Sequence, residues 1–238
     1  MPAAASEAQA VPRNTLGIEI AQLVAPISQA SVRFVTPSAN ERVALGDARR
    51  YEVHWSSEQL DPDALGIDVA LDAERPRRVP AAQSALPLGE LLPAGEELTA
   101  GVHWLFAAPI SASGLVPRRA EGAPASAVAV RFQLGAAGPG SVAPGGAVWL
   151  RKPEGTYNGP SAEHVLFDGH SFAKNGTPLA APCKILVRGK SSGELAFPGP
   201  VSALALAGGD YEISASAPGA GSAAARFITV NPELGGPK

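Results

Sequence analysis

The chain has 238 residues, a net charge of −3 and 45% hydrophobic content, with 26 glycines and 23 prolines spread along its length. This is globular material for one large or two small domains, and the spread of helix-breaking residues argues against long helices. It has no dense cationic face and no apolar run of about 20 residues, which argues against a nucleic-acid partner and a helical membrane span.

Residues 1–30 begin MPAAASEAQAVPRN. That segment lacks the charged start and apolar stretch of a signal peptide, and reads as a small-residue tether of the kind left after a signal is removed, with an intact cytoplasmic protein as the alternative. Leu16 to Ala30 is mildly apolar and interrupted by Pro26, which fits a leading strand or a short helical turn.

A first β-sandwich is expected over 31–135. Its strand-like runs are Ser31–Val35 (stopped by Pro37), Tyr51–Trp55, Ile67–Asp72, Gly101–Ala107 and Val130–Leu134. Tyr51, Val53 and Trp55 share one face by alternation, as do Ile67, Val69 and Leu71. Between the last two runs lies an insert, Pro109 to Ala125, rich in Ser, Gly, Pro and Arg. It reads as an exposed loop that the core does not need. Residues 136–146 are small and Gly-rich and read as a linker.

A second sandwich is expected over 147–231, followed by a tail, 232–238. Its runs repeat the first in order: Ala147–Arg151 (stopped by Pro153), His164–Asp168, Lys184–Gly189, Gly208–Ser214 and Ala225–Thr229. Five ordered matches argue for internal duplication. Aligning Gly101 with Gly208 makes Trp104 and Tyr211 equivalent, core-facing residues, and Val130–Leu134 falls against Ala225–Thr229. Short strands at this spacing predict an all-β chain of two tandem antiparallel Ig-like β-sandwich domains. The cysteine pair flanking a tryptophan in antibody-type domains is missing, since Cys183 is the sole cysteine.

The run Leu86–Leu91 followed by Leu98–Ala107 resembles the Ig-like domains of bacterial secreted lipoproteins, in which a hairpin of this composition precedes the last strand. Lys152–Pro160 with Val165–Asp168 is similar to the second domain of the same proteins. The resemblance covers about residues 31–231 and implies an exported, non-catalytic, envelope-associated protein. The lipid-bearing cysteine of that family has no counterpart near this N-terminus.

Several side chains invite chemical readings. His164, Asp168 and His170 would share one face of a straight strand and could bind a divalent metal. Against this, Gly169 is expected to bend the chain, and Asp168-Gly169 is an ordinary turn pair. No Gly-x-Ser-x-Gly elbow supports a Ser–His–Asp triad, and His54 and His103 read as sheet or turn histidines. Glu96-Glu97 and Asp61-Pro62-Asp63 read as solvated loop charges rather than a hydrolytic pair. Cys183 opens a strand-like run and reads as a small buried hydrophobe. No cofactor is expected.

Trp55, Trp104, Trp149 and Tyr211 lie in alternating runs, where core packing is the default. Tyr157 and Asn158 sit in a turn-rich stretch and suit a binding surface. Arg118 and Arg119, in the insert, are candidates for a carboxylate-bearing partner surface. The leading expectation is a non-catalytic structural or protein-interaction protein, periplasmic, cell-surface or extracellular, with a protein partner or larger assembly. The alternatives are a carbohydrate-binding module using the Tyr157 loop, and a metal-binding protein or metalloenzyme using His164, Asp168 and His170.

Overall fold

The computed structural model describes residues 20–21, 23–72, 74–136, 145–159, 164–180, 183–189, 193–199, 201–222 and 225–233. Most of the expected linker 136–146, much of the leading segment 1–30 and most of the tail 232–238 therefore lie outside the described residues.

The short β1 (Ile20–Ala21) precedes two sets of strands. The first set is β2 (Ser31–Thr36), β3 (Arg42–Val43), β4 (Glu52–Glu58), β5 (Gly66–Leu71), β6 (Arg77–Val79), β7 (Ala85–Pro87), β8 (Gly101–Ile110) and β9 (Val128–Leu134). The second is β10 (Ala147–Lys152), β11 (Gly155–Asn158), β12 (Val165–Phe172), β13 (Lys184–Gly189), β14 (Gly193–Pro198), β15 (Val201–Leu204), β16 (Gly209–Ala217), β17 (Gly221–Ser222) and β18 (Arg226–Asn231).

Both sets wind the same way. In the first, the order β2-β4-β7 faces β3-β9-β8-β5-β6; in the second, β10-β12-β15 faces β11-β18-β16-β13-β14. Each set's opening strand ends at a proline, Pro37 or Pro153, after a shift in register against its neighbour. The chain then crosses to the other sheet and pairs parallel with the closing strand, β3 on β9 and β11 on β18. All other strand pairs are antiparallel. The chain is thus all-β, with two tandem Ig-like sandwiches. β1 adds to the outer edge of β15.

Each sandwich has its own core. Val53, Trp55, Val69, Leu105 and Phe132 fill the first, and Phe167, Ile185, Val187, Ile213 and Val230 the second. These residues follow the period-2 alternation of their strands. Burying each such side chain contributes about 1.5–3 kcal/mol.

The alignment that equates Trp104 with Tyr211 is one residue out of step. The strand-opening glycines are Gly101 and Gly209, both at positive φ, and they face Leu134 and Val230. Two residues on, His103 faces Phe132 and Tyr211 faces Ile228. His103 is therefore the counterpart of Tyr211, and Ile228, not Phe227, is the counterpart of Phe132. The doubled Gly208-Gly209 offered two registers, and a one-residue slip exchanges the faces of a strand.

Trp104 consequently leaves its own core and enters a third cluster with Phe106, Ile110, Val116, Trp149 and Phe172. The outer face of β8 and β5 packs here on the outer face of β10 and β12. This explains why β5 is buried at all six positions. The ring of Phe106 stacks on Trp149, with centroids 5.5 Å apart and planes 8° from parallel. The two sandwiches therefore share a buried sheet-on-sheet contact.

The insert after β8 belongs to this contact. Val116 is fully buried there, and Leu115 and Pro117 are buried beside it. The backbone at Arg118 also bonds to the segment before β2: the Arg118 N–H donates to Pro26 O and Ser28 N–H to Arg118 O, each at 2.9 Å. The expectation of a wholly exposed, dispensable loop is corrected. Loop composition marked its polar residues, but not the short apolar Leu115-Val116, of which Val116 packs with Trp149 and Phe172 of the second sandwich.

Candidate functional site

Beside the aromatic stack runs a chain of alternating charges. Asp68 points from β5 and Arg151 from β10, each on the face opposite its own core. The Arg151 guanidinium donates to Asp68 Oδ2 at 2.8 Å, to the Gly114 carbonyl at 2.8 Å, and to Asp168 Oδ2. Arg78 grips Asp68 from the other side, with Nε at 2.7 Å and Nη2 at 3.0 Å. Arg151 and Asp168 are completely buried. A second tie crosses the junction where Arg226 donates to the Glu74 carbonyl at 3.0 Å.

Burial by itself would raise the Asp168 carboxyl. The Arg151 and His170 charges outweigh it and hold this group far below the usual carboxylate range. His170 Nε2 lies 2.8 Å from Asp168 Oδ1, but neither atom makes a directed hydrogen bond among the described residues. The His170 ring rests against Trp149.

The expected bend at Gly169 does not occur, because β12 runs straight through it to Phe172. Glycine is required there by a close approach: a Cβ would lie 2.8 Å from Cys183 Sγ. Asp168 and His170 do share one face, as a straight strand demands. His164 lies apart, exposed in the turn before β12. Among the described residues no group of three His, Cys, Asp or Glu side chains is placed to hold a metal ion.

A cavity of about 100 Å³ adjoins His170, bounded by Gly169, Cys183, Arg118 and Pro124. This is below the roughly 300 Å³ of ordinary small-molecule sites. Burial, reinforced by the Asp168 charge, pushes the Cys183 thiol up to about 12. It stays protonated at neutral pH and is a poor nucleophile.

The remaining candidate residues disperse. Arg118 is half-buried at the cavity and Arg119 is exposed. Tyr157 turns inward on β11 and packs on the second core, its hydroxyl accepting from the Glu154 N–H at 3.2 Å. The expectation of a turn-rich binding loop at Tyr157 is corrected: Gly155-Thr156-Tyr157-Asn158 is a strand, and alternation sends Tyr157 inside while Thr156 and Asn158 face out. Trp55, Trp104, Trp149 and Tyr211 are all buried. Sequence reasoning missed Asp68 and Arg151. Each alternates with core residues in its run and so mimics a solvent-facing charge.

No protein-family model matches the chain, and no curated protein matches it. Solved structures similar to it include the fibronectin(III)-like modules of Clostridium thermocellum CbhA, at 11% identity over 87% of this chain and 98% of that one, with a TM-score of 0.28. Domains 4 and 5 of the S-layer protein SbsC match at 10% identity over 87% and 100% of the two chains, with a TM-score of 0.25. Titin domains z1z2, solved in complex with telethonin, match at 15% over 86% and 96%, with a TM-score of 0.23. No helix among the described residues is long and apolar enough to cross a membrane.

Proposed function

We propose that the chain is a non-catalytic structural or protein-interaction module, exported to the periplasm, cell surface or extracellular space, whose two sandwiches act as one rigid unit. The observation that carries this reading is the junction, where Trp149 stacks on Phe106 beside the buried Arg151 bridge from Asp168 to Asp68. Sandwiches joined by a linker alone reorient freely. A buried aromatic contact beside a guanidinium whose three nitrogens all donate opposes that motion and keeps loops of both sandwiches in fixed relation. Export is supported by the resemblance of the Leu86–Ala107 and Lys152–Asp168 stretches to secreted Ig-like domains.

The limits 31–135 and 147–231, with 136–146 joining them, are part of this proposal. Small-angle scattering of the purified protein tests it. One compact, rigid particle is expected, and a distribution of interdomain distances would overturn the rigid unit. Fractionation of cells that make the protein, followed with an antiserum, tests export; recovery in the cytoplasm alone counts against it. Limited proteolysis tests the limits, with the first cuts expected within 136–146.

A further inference from the structure

The outer face of the second sandwich carries an open groove of about 610 Å³, within the size range of small-molecule sites. Its floor is the β11-β18-β16-β13 surface. Phe227 stands on this floor with 74% of its area exposed. It is the one aromatic among the exposed large hydrophobics of the described residues. Alternation explains the position, since Ile228 and Val230 point inward and Phe227 must point out.

Register places polar groups around the ring. Glu212 lies directly opposite Phe227, and Asp210 opposite Thr229. Thr156 flanks Thr229 from β11. Arg75 reaches the same groove from the first sandwich. The acids are engaged: Asp210 Oδ1 accepts from Thr229 Oγ1 at 2.9 Å, and Glu212 lies 3.7 Å from Arg188. Arg75 makes no hydrogen bond or ion pair among the described residues, and is the cation left over for a ligand.

We propose that this groove binds a saccharide carrying a carboxylate, of the uronate class. The apolar face of a sugar ring stacks on Phe227. Its hydroxyls meet Thr156, Thr229 and Asp210, and its carboxylate meets the Arg75 guanidinium, whose planar donor pair matches it. An extended peptide fits less well. Peptides that add to sheets use the free backbone groups of an edge, and this floor is the face of paired strands. The carrying residues come from both sandwiches, so the proposal rests on the fixed arrangement proposed above.

The test is calorimetric titration of the intact chain with a panel of galacturonate, glucuronate and mannuronate oligosaccharides and their methyl esters. Wild type binds at least one uronate. Phe227→Ala and Arg75→Gln, both at exposed positions, each weaken that binding by roughly tenfold or more. Esterification weakens wild-type binding as much as R75Q does. Absence of uronate binding overturns the site, as does binding that ignores either substitution or a preference for extended peptides. Scattering of the same samples without saccharide reports the arrangement separately. A rigid particle that binds no uronate sinks the groove alone, and a variable one sinks the rigid unit.

Discussion

His103 and Tyr211 hold the same place in the two sandwiches, and each bonds to the backbone carbonyl four residues upstream. His103 Nε2 meets Thr99 O at 2.9 Å, and the Tyr211 hydroxyl meets Ala207 O at 2.9 Å. A tyrosine here closes the corner in many Ig-like sandwiches. The imidazole does so with a second hand, since Nδ1 lies 2.6 Å from Asp72 Oδ2. The other Asp72 oxygen accepts the Trp104 N–H at 2.8 Å.

That second contact makes the first sandwich sensitive to pH. Burial would lower the His103 pKa, but the Asp72 hydrogen bond and charge outweigh it and hold it above 6.5. Folded His103 binds its proton more tightly than the unfolded residue does, so raising the pH through that interval favours unfolding. The stability difference between wild type and His103→Gln should be full below pH 6.5, at about 1–3 kcal/mol, and shrink as pH rises through the folded value. Denaturant titrations of both proteins across neutral pH check this. A gap that stays constant with pH would refute the charged pair.

Removing Arg151 should cost about 3–5 kcal/mol, because it takes from the buried Asp168 carboxylate the larger of its two counter-charges. Arg151→Met tests this by urea unfolding. Adding Asp168→Leu to that variant should restore most of the loss, since the stranded charge is then gone. In wild type, the Asp168 contribution is present above its ordinary 3.8 and lost as pH falls through the depressed folded value. Acid unfolding of R151M should therefore begin at higher pH. An additive double variant, no better than R151M, would show that the pair is not what holds the junction.

Strand existence was legible in the sequence because alternation is local. Ile67, Val69 and Leu71 announce an inward face whatever lies outside. What alternation cannot tell is whether the other face meets water or a second sheet. Asp68 and Ala70 look solvent-facing in the run, yet both are buried against the second sandwich. The same blindness concealed Trp104, Arg151 and the whole junction. Register across the halves failed for a different reason: Gly208-Gly209 supplies two possible strand openings, and only the facing pair Gly209–Val230 decides between them.

Trp104 is 6% exposed but lies outside the first sandwich's core, against the aromatic stack of the junction. Trp104→Ala should destabilise by about 3–5 kcal/mol. It should also loosen the coupling between the sandwiches, so that unfolding followed by probes in each half separates into two transitions. A loss of stability with the transitions still coincident would place the ring's role within the first sandwich alone.

The insert between β8 and β9 gives the last prediction. Shortening it to the connection found between β16 and β18 removes Val116 from the buried cluster and Gly114 from Arg151. It also removes the Arg118 backbone that bonds to Pro26 and Ser28. The loss of Val116 alone should cost about 1–3 kcal/mol, and an unpaired Arg151 donor adds to it. The shortened protein should therefore melt several degrees lower, and scattering should show its two sandwiches less tightly held. Val116→Ala, which keeps every backbone bond, should reproduce a smaller part of the same loss. Changing Arg119, which is exposed at the tip, to Ala should leave the melting temperature unmoved. If the shortened chain melts with wild type, the insert is outside the junction after all, and Val116 does not brace the two sandwiches.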